Sequence, residues 1–127
     1  MAEACRRGFT ALTVEQWQHS GLRVPGAFDA LLLAHVIEHV DELTGDALVQ
    51  DYLPFLRPGA TVMLICPQER GYASDATHVR FVDLDDLAAL ATRAGLVVAK
   101  RFSFPFPRAL GRAFVYNEFC LVARTPG

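Results

Sequence analysis

The sequence predicts an α/β domain with an open, mostly parallel sheet and an antiparallel strand pair at one edge. Three observations carry this. Phe28–Ala34 (FDALLLA) and Thr61–Cys66 (TVMLIC) are nearly continuous apolar runs, as expected of parallel strands covered on both faces. Helix-length patterns separate successive strands, which implies right-handed crossovers. The last two strands, Leu96–Phe102 and Ala113–Arg124, have no helix between them and fit an antiparallel hairpin.

The elements follow in order. Ala2–Arg7 reads as a short helix stopped by Gly8, and Phe9–Leu12 as a short strand. Thr13 is an N-cap for the helix Val14–Ser20, with Gln16 completing a capping box. Gly21–Gly26 is a loop, and the first long strand, Phe28–Ala34, follows it. His35–Val40 leads into a helix from Asp41 to about Leu56, closed by Arg57-Pro58-Gly59; Pro54 tightens its last turn. After Thr61–Cys66, Pro67–Thr77 reads as a polar loop. Leu84–Ala94 is a helix with Asp85 and Asp86 at its favourable N-terminal end and Gly95 as its stop. Phe104-Pro105-Phe106-Pro107 is extended, because each residue before a proline is pushed out of the α region.

Composition narrows the function. At 127 residues with 52% hydrophobic and 20% charged residues, the chain can bury a core without disulfides or metal. A net charge of −2 offers no basic field for nucleic acid or an anionic membrane, so neither is an expected partner. Cys5, Cys66 and Cys120 are odd in number and far apart, which points to buried thiols in a reducing compartment. The N-terminus has no apolar signal segment, and the longest strongly apolar stretch, Ala30–Ile37, is far too short for a bilayer. A cytoplasmic location is expected.

Several stretches resemble a known family. FDALLLAHVIEHV (Phe28–Val40) resembles the fourth strand and following turn of class I S-adenosylmethionine-dependent methyltransferases, where an "FD-apolar" strand runs into "EHv". YLPFLRPGATVMLICP (Tyr52–Pro67) resembles their "LkPGG" helix end and fifth strand, with Gly59-Ala60 in place of Gly-Gly. His78-Val79-Arg80-Phe81 followed by LDDLAALATRAGL, and then Tyr116-Asn117-Glu118-Phe119, resemble the later helix and final antiparallel strand. The resemblance runs from about Phe9 to Arg124 and implies a Rossmann-like sheet of strand order 3-2-1-4-5-7-6. Chain 1–127 then corresponds to a partial domain without the family's first two strands and its glycine-rich loop. A full domain of this kind would begin some tens of residues upstream. Leu31-Leu32-Leu33 would lie on an open apolar edge, and a homodimer through that edge, re-pairing of strand three or poor solubility is expected.

The resemblance implies S-adenosylmethionine as cofactor, with Leu12 and Thr13 near its adenine and Ala34, His35 and Val36 along its ribose and methionine part. Open parallel sheets bind ligands at the carboxyl ends of their strands, which favours the same positions. Glu38 and His39 either touch cofactor or substrate, or serve the helix start and pack on the sheet. His78 is the weak candidate for a general base, with a capping role as the alternative. Methyl transfer requires no base unless the acceptor must lose a proton. Tyr72 and Tyr116 could line an acceptor pocket. Arg70, Arg80, Arg108 and Arg112 could meet an anionic acceptor or be ordinary solvated arginines. A small-molecule acceptor fits the low charge better than a macromolecule.

Two other classes stay open. Without the glycine loop the chain could be a non-catalytic remnant or a partner subunit. His35-Val36-Ile37-Glu38-His39 also matches H-x-x-E-H, an inverted zinc-hydrolase motif. That site needs both histidines on one face of a regular helix, a third ligand and Glu38 as base. His35 directly follows a strand, so the helical spacing is not expected to hold, and no metal is expected.

Overall fold

Four strands form one open sheet in the computed structural model, which describes residues 1–127. They are β1 (Phe28–Ala34), β2 (Leu56–Pro67), β3 (Val97–Phe104) and β4 (Glu118–Arg124), in the order β1-β2-β4-β3. β1 and β2 run parallel in a ladder whose pairs include Leu31 with Val62 and Leu33 with Leu64. β4 inserts antiparallel between β2 and β3. The sheet is therefore mixed: one ladder is parallel and two are antiparallel.

Side-chain alternation along each strand decides what the sheet buries. Val62, Leu64 and Cys66 of β2 line up with Ala123, Leu121 and Phe119 of β4 and share a face with Leu33 of β1. That face packs against Val49 of α3 (Glu42–Tyr52) and Leu87, Leu90 and Ala91 of α5 (Leu84–Arg93). The opposite face carries Leu32, Met63 and Val122 in register, and Leu32 is 59% exposed. β1 is thus covered on one face, where its apolar run led us to expect two; no helix of this chain lies over Leu32.

The N-terminal segment forms two short helices, α1 (Ala2–Arg6) and α2 (Val14–Gln18). Thr13 caps α2 in the expected capping box with Gln16. Trp17 holds α2 to the amino end of β1, lying 6.0 Å from Phe28 and 5.3 Å, edge-on, from Phe55. Phe9–Leu12 is not a strand. A strand needs a neighbour to satisfy its backbone groups, and Phe9 instead donates its N–H to Ala4 O while its ring stays exposed.

Other boundaries shift for local reasons. Asp41 caps α3 by accepting from Thr44 N–H at 2.8 Å. The helix stops at Tyr52, because Pro54 cannot donate to it, and a single 3₁₀ turn (Leu53–Phe55) follows. β2 starts at Leu56, so Arg57-Pro58-Gly59 lies at the irregular beginning of a strand and not in a loop. Gly59 sits at φ 69°, where glycine is favoured. The expected loop after β2 contains a helical turn, α4 (Glu69–Ala73). The last strand begins five residues later than expected, at Glu118. Before it, residues 105–117 form a connection containing the 3₁₀ stretch Arg108–Arg112. No helix is long and apolar enough to cross a membrane.

Candidate functional site at the carboxyl ends of β1 and β2

The carboxyl end of β1 makes an abrupt exit. Ala34 ends the strand, and His35 adopts φ 57°, the left-handed region that non-glycine residues rarely occupy. The chain then turns through the 3₁₀ segment Ile37–His39. This geometry drives Ile37 and Glu38 under the sheet, both fully buried, and leaves His35 and His39 facing outward. It also removes the basis of the inverted zinc-hydrolase reading. His35 and His39 belong to a strand exit and a 3₁₀ turn, not to one face of a regular helix.

The loop between α4 and α5 closes over this turn. Val79 and Arg80 donate their backbone N–H groups to Glu38 O at 2.8 and 3.3 Å, and the Arg80 guanidinium donates to Val40 O at 3.1 Å. His78 is brought against His39, with ring centroids 4.7 Å apart, and stacks on Tyr72 at 5.1 Å. Asp75 accepts from the Thr77 N–H and hydroxyl at 2.8 and 2.7 Å, bonds that hold its carboxyl below the usual range.

Glu38 is the centre of this cluster. Its Oε2 accepts from the Cys66 thiol at 3.5 Å. Its Oε1 is buried with no hydrogen-bond partner, and faces His35 Nδ1 at 3.5 Å and the Nε2 atoms of His39 and His78 at 3.9 Å each. Burial, and then the negative charge of Glu38, push the Cys66 thiol far above its ordinary range, so it remains a donor. His35 Nε2 meets Glu118 Oε1 at 2.5 Å, tying the end of β1 to the start of β4.

These groups open onto a cavity of about 300 Å³ walled by His35, His39, His78, Asp75, Tyr116 and Glu118, among others. Val115 and Tyr116, on the connection before β4, form the far wall. That connection is pinned by a buried amide network. Gln68 donates to Ser103 Oγ and Glu118 O, Asn117 donates to Gln68 Oε1 and Pro107 O, and Phe106 N–H donates to Asn117 Oδ1.

Of the residues singled out from the sequence, His35, Glu38, His39, His78, Tyr72 and Tyr116 come together here, with Ala34 and Val36 in the adjoining backbone. Leu12 and Thr13 do not join them: Thr13 spends its side chain on capping α2, whose Trp17 is bound to the amino end of β1. Among the arginines, Arg108 pairs with Glu69 and covers the Phe119 ring, and Arg80 holds the turn. Glu118, Asp75 and the thiol of Cys66 were not foreseen as site residues. The contact between His35 and Glu118 spans 83 positions, and no local pattern encodes it.

The fold has counterparts among solved structures. A methyltransferase dependent on S-adenosylmethionine from Archaeoglobus fulgidus superposes with a TM-score of 0.66 over 98% of this chain and 72% of its own, at 14% identity. The 1,6-didemethyltoxoflavin-N1-methyltransferase of Burkholderia thailandensis, solved with S-adenosylhomocysteine, gives 0.66 over 99% of this chain and 56% of its own, at 18% identity. The N-methyltransferase NodS of Bradyrhizobium japonicum gives 0.66 over 99% and 67%, at 16% identity. The fold is that of the class I methyltransferases. The chain spans roughly half to three quarters of the length of these methyltransferases. No protein-family model matches the sequence, and no curated protein does either.

Proposed function

We propose that this chain serves methyl transfer from S-adenosylmethionine to a small-molecule acceptor, and that its cavity is the acceptor side of the site. The observation that carries this is the position of the cavity. It lies where β1 and β2 end, at Ala34–His35 and Pro67, which is where open α/β sheets receive their ligands. The methyltransferase fold of the solved relatives supports the same reading, although fold alone does not fix chemistry.

The chain's residues fit only part of the cofactor. Positive-φ glycines let a backbone approach a ligand closely, and here they are Gly8, Gly26, Gly59 and Gly95, none at the carboxyl end of a strand. The end of β1 offers Ala34, His35 and Val36 as the surface against which ribose and methionine would lie. When bound, the cofactor supplies an electrophilic methyl group. The chain's own part is to orient the acceptor between Tyr116 and the histidines. His78, whose Nδ1 faces Tyr72 O at 2.7 Å, is held in the cavity wall with Nε2 turned towards Glu38. A second reading is a non-catalytic partner of a cofactor-binding chain, since the described strand ends offer only Ala34–Val36 to the cofactor.

Calorimetric titration with S-adenosylhomocysteine separates the two. Methyl transfer by this chain predicts saturable binding that Ala34→Asp weakens at least about tenfold, or ~1.4 kcal/mol. Absence of heat at millimolar ligand refutes cofactor binding by this chain and leaves the non-catalytic reading.

A further inference from the structure

We propose that Glu38, His39 and His78 form a binding site for a first-row divalent transition metal, with zinc as the representative ion. The proposal departs from the absence of metal expected from the sequence and does not depend on the methyl-transfer reading. One ligand atom from each residue lies within 4.8 Å of the others. Four-coordinate zinc with bonds of about 2.0–2.1 Å sets its ligand atoms about 3.3 Å apart. The observed separations of 3.9 Å from Glu38 Oε1 to each Nε2 therefore need a contraction of about half an ångström.

The hydrogen bonds orient the donors for this purpose. His78 Nδ1 lies 2.7 Å from Tyr72 O, and His39 Nδ1 lies 3.3 Å from Thr77 O. A carbonyl oxygen can only accept, so the network assigns the proton to Nδ1 in both rings. Their Nε2 lone pairs then face Glu38 Oε1, itself an acceptor with no donor. Oε1 receives no hydrogen bond from them, and His35 Nδ1, 3.5 Å away on the strand exit, makes none to it either. A histidine whose other nitrogen is held by a backbone carbonyl is the usual second shell of a metal site. With Glu38, His39 and His78 as three ligands, the fourth position opens onto the cavity, and Asp75 Oδ2 stands at its rim, 3.7 Å from His78 Nε2. Two imidazoles and a carboxylate suit zinc, iron(II), cobalt(II) or nickel(II) better than calcium or magnesium.

This site differs from the inverted zinc-hydrolase motif. Glu38 is a ligand and not a base, His78 comes from a distant loop, and His35 is engaged by Glu118.

The test uses the 127-residue chain freed of metal by chelation and titrated with zinc, with bound metal counted by mass spectrometry after gel filtration. One equivalent of zinc is expected at micromolar concentration. Cobalt(II) should give visible d–d bands without a thiolate charge-transfer band, because Cys66 contacts the other oxygen of Glu38 and lies outside the ligand set. Glu38→Gln keeps the shape and removes the charge, and His39→Asn/His78→Asn removes two ligands. Each should lower zinc affinity at least a hundredfold while far-ultraviolet circular dichroism shows a folded chain. His19→Asn, on a remote helix, should bind as the parent does. No retained zinc in the parent chain, or full affinity in the folded double variant, would overturn the proposal.

Discussion

Gly111→Ala should unhinge the cavity wall. A Cβ at this position would stand 1.5 Å from Oε1 of Gln68, 2.5 Å from its Cδ and 2.7 Å from its Cβ. Gln68 is fully buried, so its amide cannot swing into solvent to make room. Moving it sacrifices up to three hydrogen bonds, to Ser103, Glu118 and Asn117, each worth about 1 kcal/mol net. Overpacking strain adds about 1–3 kcal/mol. The backbone of Gly111 is not in the left-handed region, so alanine also restricts the unfolded chain and returns about 0.4–1 kcal/mol. The net expectation is a loss of roughly 3–5 kcal/mol, a large part of the ~5–15 kcal/mol typical of a domain. Urea denaturation, followed by circular dichroism and by the single tryptophan, Trp17, measures it. The clash is with one side chain, so Gln68→Ala should relieve it. The double variant Gly111→Ala/Gln68→Ala should be more stable than the sum of the single losses predicts, by at least about 1 kcal/mol. A Gly111→Ala protein within about 0.5 kcal/mol of the parent, or strict additivity in the cycle, would refute the reasoning.

Three further outcomes are expected. Cys5 is exposed and should react at once with a thiol reagent, whereas buried Cys66 and Cys120 should react only on unfolding; three equal fast rates would contradict the structure. Burial, and then the charge of Glu118, push the Cys120 thiol up to about 11 from an ordinary 9.0. A pKa raised by folding gives stability that is intact below about pH 9 and lost as pH climbs towards 11, so denaturation midpoints should fall across that window, less steeply in Cys120→Ala. At the other end of the sheet, the outer edge of β1 has no partner strand and Leu32 faces an uncovered surface. The chain should self-associate in light scattering, and Leu32→Lys should suppress this; a parent monomeric at all concentrations would exclude it.

The strands, α3, α5 and the α2 capping box were legible because each is written locally, in apolar runs, caps and stops. The misread segments are those settled by distant partners. Phe9–Leu12 has strand-like composition but no neighbour to pair with. Ala113–Asn117 has β-forming residues, yet Asn117 is captured by Phe106, Pro107 and Gln68, which bends the chain until Glu118. The site was half legible for the same reason. His35, Glu38 and His39 lie in one readable motif, whereas their company with His78, Asp75 and Glu118 depends on a left-handed residue at position 35 and on β4 entering beside β2.

Two buried polar clusters lie side by side here, and their contrast separates scaffold from site. Around Gln68 and Asn117 every donor meets an acceptor, so the cluster stabilises the connection and asks for nothing more. Around Glu38 the arithmetic fails. A fully buried carboxylate has one oxygen satisfied only by a weak thiol donor and the other by nothing, with two imidazole lone pairs turned towards it. A buried oxygen left without a donor costs about 1–3 kcal/mol, and the left-handed His35 beside it costs about 1–3 kcal/mol more. A fold selected for stability alone has no use for either expense. The first is relieved by the arrival of a cation between Glu38, His39 and His78. The second is the backbone turn that delivers Glu38 to that place, and local rules are broken together in this way where a site is built.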